Sequence, residues 1–452
     1  MLKEAESSSL NFIVVVTAAL NSANGGELKA YLDECVRGLR KGGLLFVQGR
    51  PEYLPELGVY LDQHLNFKYW IAIESTIQHR VNGLPSVHAA VLLFTKGNER
   101  FNVKRVRFPH QYCDFCGRTL KDWGGKAHLM HPDGYVISDV WKDLPQLDNY
   151  TQISEPVLDT ILRMLDFEPR GEREADLLRQ AGMQASDSEI RGIVGPKEGI
   201  GSSESIAESA IQYRLPGFAG PEEAGATGRL PLLKMDSTVV NEVGDKMFNV
   251  VHHGDAVEIL QQYPDNSIDL VFADPPYNLD KAYHVYDDER ADEEYVKWCN
   301  SWLREYVRVL KSTGSLYVLN LPRWTMYHAA FLNRHLHFQN WIVWDAMAEP
   351  RGKLMPAHYG LLFYTKHPKD FTFNYDEVGE LDAHYYCLRR SCIRKRKAAG
   401  VDDKSGSDPR LVLNVGQSAE GGQAGGTVMI EARKISFQEA WDPTFRSYMS
   451  MR

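Results

Sequence analysis

The chain has 452 residues, 43% hydrophobic and 25% charged, with a formal net charge of −9. Such a length exceeds what a single core organises and points to two or three domains of ordinary globular composition. The acidic balance excludes a protein that coats nucleic acid over its whole surface, so any nucleic-acid contact must be local. No run approaches the roughly 18 apolar residues of a membrane span.

The first apolar run, Phe12 to Leu20, has the length of a secretory core, with Ala18 and Ala19 near a plausible cut. Glu4 and Glu6 outweigh Lys3 ahead of it, so a buried strand is the better reading and the expected location is cytoplasmic, with no membrane partner. The six cysteines are scattered, as in a reducing compartment rather than a disulfide framework. Val36 to Val47 reads as a helix end, a Gly42-Gly43 turn and a strand. His64 to Trp70 reads as an aromatic strand and Leu92 to Lys96 as another.

Next comes Tyr112-Cys113-Asp114-Phe115-Cys116-Gly117, followed by His128 and His131. Cys113, Cys116, His128 and His131 together have the outline of a small zinc site, although His-x2-His is shorter than usual. The intervening Trp123-Gly124-Gly125-Lys126 also suits a turn in a DNA-reading loop. Cys35 and Cys299 sit on helical faces and read as core. Residues 166–245 contain only Phe167, Tyr213 and Phe218 as aromatics, amid Gly, Ser, Ala and Glu, and are expected to be a linker of low order.

A short strand is expected to end at Gly254-Asp255, with a helix over Ala256 to Gln262. Asp255 then serves either as that helix's N-cap or as a ligand-facing acid. The strand Ile268 to Phe272 stops at Pro275 and Pro276, which cannot continue a ladder. Asp274 and Tyr277 therefore sit at the carboxyl end of a strand, where open α/β sheets bind ligands.

Asp274-Pro275-Pro276-Tyr277, preceded by Gly254-Asp255 and by Pro264-Asp265-Asn266-Ser267-Ile268-Asp269-Leu270, resembles the signature of the S-adenosylmethionine-dependent DNA amino-methyltransferases. The resemblance implies an α/β, Rossmann-like methyltransferase sheet, S-adenosylmethionine as cofactor and DNA as partner. It gives Asp274, Pro275, Pro276 and Tyr277 catalytic roles and places Asp255, Asp274 and Asn278 at the cofactor. An exocyclic amine is a weak nucleophile, because its lone pair is delocalised into the ring. Asp274 and the Pro275 carbonyl are two acceptors for its two hydrogens, and Tyr277 offers a face to an extruded base. An Asp-first motif resembles the adenine-N6 group. Cytosine-N4 methylation, a catalytically inactive DNA-binding homologue, and methylation of RNA or a protein glutamine are the other readings.

An internal repeat is the second strong feature. Val36 to Val47 parallels Val307 to Val318, and His64 to Trp70 parallels His335 to Trp341, both at an offset of 271. His88 to Lys96 parallels His358 to Lys366 at 270. Two related methyltransferase-like halves joined by the linker are therefore expected, residues 1–165 and 246–400. Phe12 to Asn21 falls opposite Asp269 to Asn278 with the acid, the prolines and the tyrosine gone. The first half thus reads as a catalytically dead duplicate, and the assembly as an internal pseudo-dimer or a homodimer.

After the second half lies a basic run, Arg389, Arg390, Arg394, Lys395, Arg396 and Lys397, with Cys392 inside it and Cys387 and His384 before it. It is read as a phosphate-contacting patch. The family's strand followed by Asp-Pro-Phe-x-Gly-x-Gly is missing. Leu411 to Ala419 and Thr427 to Glu431 are the nearest substitutes in the tail 401–452, with too short a segment between them for a βαβ crossover. Phe218-Ala219-Gly220 is a weaker one.

Overall fold

The computed structural model describes residues 6–17, 25–78, 86–98, 103–120, 127–142, 144, 153–167, 190–194, 252–279, 289–345, 353–373, 389–400, 427–430 and 433–436. The first half runs β1 (Leu10–Thr17), α1 (Gly25–Gly38), β2 (Leu39–Gly49), α2 (Leu54–Asp62), β3 (Asn66–Gln78) and β4 (Ser86–Thr95). Short strands β5 (Arg107–Phe108), β6 (Tyr135–Val136) and β7 (Val140–Trp141) follow, then α3 (Glu155–Leu165) and β8 (Ile190–Val194). The second half runs α4 (Ala256–Leu260), β9 (Ile268–Ala273), α5 (Asp292–Val309), β10 (Leu310–Asn320), α6 (Pro322–Leu332), β11 (His337–Asp345) and β12 (His358–Thr365). Helix α7 (Arg390–Ala398) and the strands β13 (Thr427–Ile430) and β14 (Arg433–Ser436) complete the described elements.

The two sheets have one topology. Strand β1 pairs parallel with β2, which pairs antiparallel with β4 and through it with β3. Strands β9, β10, β12 and β11 repeat that order and those senses. The first sheet is extended by β7 beside β3 and by β8 beside β1. Strand β8 lies inside the segment expected to be a linker, and that expectation fails over its five residues, which close the open edge of β1. In the tail, β13 and β14 form an antiparallel hairpin, so Thr427 to Ile430 is not the second strand of a parallel cofactor-binding unit.

Details of local chemistry repeat as well. Lys96 Nζ donates to the carbonyls of Val36 and Leu39 at 2.6 and 2.7 Å. Lys366 Nζ donates to those of Val307 and Leu310 at 2.8 and 2.7 Å. Each lysine thus satisfies orphan carbonyls where a helix turns into a strand and complements the helix dipole there.

Pairing corrects one detail of the repeat. Val14 pairs with Phe46 and Phe272 with Tyr317, while Phe46 and Tyr317 correspond at the offset of 271. Val14 therefore matches Phe272, and Asp274 falls opposite Val16 rather than Thr17. Facing decides the point: Ile13 and Val15 share a core with Val271 and Ala273, and a one-residue slip would turn each set to the opposite side.

That core is common to both halves and lies between the sheets. Trp70 and Trp341, matching positions of the two copies, stack with centroids 4.5 Å apart and planes 23° apart. Helix α2 lies against α6 so closely that a Cβ on Gly58 would collide with Met326. At the rim, the Asp62 carboxylate, with only 2% of its side chain exposed, receives Arg323 at 3.0 Å and the Tyr327 hydroxyl at 2.8 Å. In the matching place, Asn333 Nδ2 donates to the Glu52 carbonyl at 2.9 Å. Such reciprocal contacts are those of a two-fold interface. A second core, covered by α3, occupies the outer face of the first sheet, and Leu354 from the second half enters it.

Replacing Trp70 with Ala should destabilise the protein by about 3–5 kcal/mol, the usual cost of a large aromatic cavity. Chemical denaturation should show both halves weakened together. A loss confined to probes in the first half would contradict the shared core.

Candidate active site

The site is assembled at the carboxyl end of β9, held from behind by α5 and α6. The sequence between α4 and β9 shapes a turn: Ser267 Oγ donates to the Pro264 carbonyl at 2.7 Å, and Asn266 takes a left-handed φ of 55°. Arg308 of α5 binds Asp265 at 2.7 Å and donates to the carbonyls of Leu260 and Tyr263 at 2.7 and 2.8 Å. The Pro-Asp-x-Ser element is therefore structural, fixing where β9 begins.

Beyond β9 the chain turns at the two prolines, and each following group is held. Tyr277 Oη donates to Asp274 Oδ1 at 2.6 Å. The Tyr295 hydroxyl donates to the Pro276 carbonyl, and Trp324 Nε1 donates to the Tyr277 carbonyl at 3.0 Å. Asn278, at φ 56°, exchanges two hydrogen bonds of 2.9 Å with the backbone of Arg290. Among the described residues the carbonyl of Pro275 has no hydrogen-bond donor.

Behind Tyr295 lies a buried relay. Asn320 Nδ2 donates to the Tyr295 oxygen at 3.1 Å and to His328 Nε2 at 2.9 Å. Burial pushes His328 down to about 3, so its ring stays neutral and Nε2 remains an acceptor. Tyr277 is pushed well above the ordinary tyrosine range, first by burial and then by the charge of Asp274. It is thus a fixed donor to that carboxylate. Its ring lies 5.7 Å from that of Tyr359, tilted by 44°.

Beside the motif lies a shallow cleft, open to solvent and lined by Asp255, Ala256, Val257, Pro275, Trp298, Trp302 and Tyr306. Asp255 is the N-cap of α4, its Oδ1 accepting from the amides of Val257 and Glu258 at 2.8 and 3.2 Å, and it also lines the cleft. Residues 252–255 form no strand. Trp298, Trp302 and Tyr306 follow at four-residue spacing along one face of α5. The guanidinium of Arg290 lies 5.1 Å from the Trp298 ring centre. The indole N–H of Trp302 is buried without an acceptor among the described residues.

Several expected site residues are placed differently. His128 and His131 are exposed and stand apart from the cysteines; His131 instead receives the Asp133 amide at 3.2 Å and its carbonyl approaches His110. The third thiol beside Cys113 and Cys116 is Cys392, all three sulfurs lying within 4.8 Å of one another. Spacing along the chain had favoured the nearby histidines, whereas folding brings in a cysteine 279 residues away. In the basic run, Arg390, Arg394, Lys395 and Lys397 are exposed. Arg396 is 7% exposed and donates to Cys392 Sγ at 3.5 Å, and Arg389 donates to the Thr119 carbonyl at 2.7 Å. The patch of six is therefore four outward cations and two inward ones. Cys35 and Cys299 are buried, as expected of core thiols. Cys387, His384, Trp123 to Lys126, Phe218 to Gly220 and Leu411 to Ala419 lie outside the described residues.

Sequence reasoning missed Tyr295, Trp298, Trp302, Trp324 and Arg290. The Trp298-x3-Trp302-x3-Tyr306 spacing was the available signal; the others are joined to the motif only through tertiary contact.

The chain is similar to known proteins. Residues 268–385 match the DNA methylase family N6_N4_Mtase. The type II methyltransferase M.BamHI of Bacillus amyloliquefaciens is 41% identical over 131 residues, 28% of this chain and 31% of that protein. M.HpaI of Haemophilus parainfluenzae is 37% identical over 135 residues, 29% of this chain and 43% of that protein. The DNA adenine methyltransferase YhdJ of Escherichia coli (strain K12) is 31% identical over 131 residues, 28% and 44% respectively. The chain thus spans less than half the length of these relatives.

His328 gives a pH prediction. Its folded value lies below its unfolded one, so the stability tied to its neutral ring is complete above about pH 6.5 and declines as pH falls toward about 3. Relative to His328→Gln, the wild type should lose stability between about pH 7 and about pH 4. Parallel denaturation curves for the two proteins would contradict this.

The motif lies inside, and the turn that supports it immediately before, residues 268–385, the segment that is similar to the N6_N4_Mtase family of DNA methylases.

Proposed function

We propose that the chain transfers a methyl group from S-adenosylmethionine to the exocyclic amine of a base in DNA, with adenine N6 as the target. The observation that carries this reading is the state of the carbonyls that follow Asp274: those of Pro276 and Tyr277 accept hydrogen bonds, whereas that of Pro275, the next residue after Asp274, has no donor among the described residues. Two acceptors are what an NH2 group with two hydrogens requires. The Asp-first motif supports adenine, as does the likeness to YhdJ, whose name gives adenine as its substrate.

The cleft has the donor set for the cofactor. Asp255 offers a carboxylate to hydroxyl or amine hydrogens, Trp298 an aromatic face and Trp302 a buried N–H without an acceptor. Asn278 braces the turn through the Arg290 backbone. S-adenosylmethionine supplies an electrophilic methyl group when bound. The protein's own part is positioning: Asp274 and the Pro275 carbonyl orient the amine, and such orientation alone is worth roughly 7–11 kcal/mol of barrier. Tyr277, locked as a donor, keeps the carboxylate aimed. The proton shed by the methylated nitrogen passes to Asp274.

In this reading the first half is silent, because Val16 and Thr17 stand where Asp274 and Pro275 stand in the second. It acts as a built-in partner that closes the core and carries the loop against which α7 rests. Arg390, Arg394, Lys395 and Lys397 supply the local phosphate contacts that an acidic protein needs.

Asp274→Ala should abolish methyl transfer while leaving S-adenosylmethionine affinity, by titration calorimetry, within several-fold of wild type. Mass spectrometry of the nucleosides should find N6-methyladenine. Wild-type turnover in the variant would place amine activation elsewhere, and N4-methylcytosine would move the target to cytosine.

Charge reversal of Arg394, Lys395 and Lys397 should weaken DNA binding and flatten its dependence on salt, by about 0.9 in log–log slope per lost phosphate contact. A slope equal to that of wild type would remove α7 from the DNA surface.

A further inference from the structure

The geometry points to a zinc ion held by Cys113, Cys116 and Cys392, which pins the basic helix α7 of the second half to a hairpin of the first. The inference stands independently of methyl transfer, because it concerns thiols outside the cleft.

Distances come first. Cys113 and Cys392 Sγ are 3.8 Å apart, and all three sulfurs fall within 4.8 Å of one another. A disulfide needs about 2.05 Å. Tetrahedral zinc with Zn–S bonds of about 2.3 Å sets sulfurs about 3.8 Å apart along each edge.

The backbone around the first pair is built to present both sulfurs together. Tyr112 and Thr119 form an antiparallel bridge. Inside it the Cys113 amide donates to Arg118 at 2.7 Å, and the Gly117 amide donates to Cys113 at 2.8 Å. Gly117 takes a φ of +65°, a left-handed position that suits glycine, so the chain reverses immediately after Cys116.

The third thiol arrives on a helix tied to the same hairpin. Arg389 donates to the Thr119 carbonyl at 2.7 Å. One turn beyond Cys392, the buried guanidinium of Arg396 approaches Cys392 Sγ at 3.5 Å. Three thiolates on a divalent ion carry one net negative charge, which Arg396 balances. Cys113 and Cys392 are 2% and 3% exposed, and Phe115 and Leu120 pack around them, so two of the three ligands are shielded from water and Cys116 is half-buried. Binding releases the thiol protons. Its structural effect is to orient Arg390, Arg394, Lys395 and Lys397 relative to the first half.

The full chain, purified reduced from zinc-supplemented cells, should contain one zinc per molecule by elemental mass spectrometry. Cobalt exchanged into it should give the intense ligand-field and thiolate charge-transfer bands of a tetrahedral sulfur site. Cys113→Ser and Cys392→Ser should each lose the metal, and the His128→Ala/His131→Ala double variant should retain it. Absence of zinc from the wild type, a cobalt spectrum lacking thiolate bands, retention of metal in Cys392→Ser, or its loss from the histidine variant would each overturn the proposal. The cobalt spectrum of the wild type decides even if a cysteine variant fails to fold.

Discussion

Everything in this molecule depends on burying one layer of helices between two half-sheets. The first half has a core of its own on its outer face, but the larger core is shared, each half burying an apolar face against the other. Trp70 against Trp341 marks the centre of that contact, and the Asp62–Arg323 pair its rim. Because α5 and α6 are squeezed between the sheets, the groups they hold out are rigid. Tyr295 and Trp324 grip the Pro276 and Tyr277 carbonyls from that rigid layer. The turn at Asp274 is thereby fixed by packing that begins in the other half of the chain.

The two copies show which parts of such a fold serve structure and which serve chemistry. The lysines that satisfy helix-end carbonyls persist in both, as do the Arg37–Glu34 and Arg308–Glu305 pairs. The strand of the motif persists too, since Val14 and Phe272 hold equivalent places in their ladders. What differs is the residue set just past the strand end, where no packing demand calls for a carboxylate. Loss of Asp274's counterpart leaves the first half's cores intact, so duplication could preserve the fold while discarding the motif.

Much of this was legible in the sequence. The succession of elements in each half follows from the motif and the repeat, because apolar periods and turn residues are local properties; strand order and sense are set by pairing and came from the structure. The motif residues were legible for the same reason. What escaped was everything set by long-range contact: Tyr295, Trp298, Trp302 and Trp324 behind the motif, and Cys392 beside Cys113 and Cys116. The one-residue slip in aligning β1 with β9 has the same origin. A run such as Phe12-Ile13-Val14-Val15-Val16 is apolar on both sides, so only the pairing partner shows which side faces which core. Arg396 was counted with the surface cations because sequence reveals charge but not direction.

The central claim is that Asp274 and the Pro275 carbonyl together hold the amine of a base drawn out of the duplex. A structure of the protein with a methylatable duplex and a non-reactive cofactor analogue tests it most directly. The account predicts an unstacked base whose exocyclic nitrogen lies within about 3 Å of both Asp274 Oδ and the Pro275 oxygen. A base still stacked in the helix, or an amine bound by other groups while Asp274 keeps only Tyr277, would contradict it.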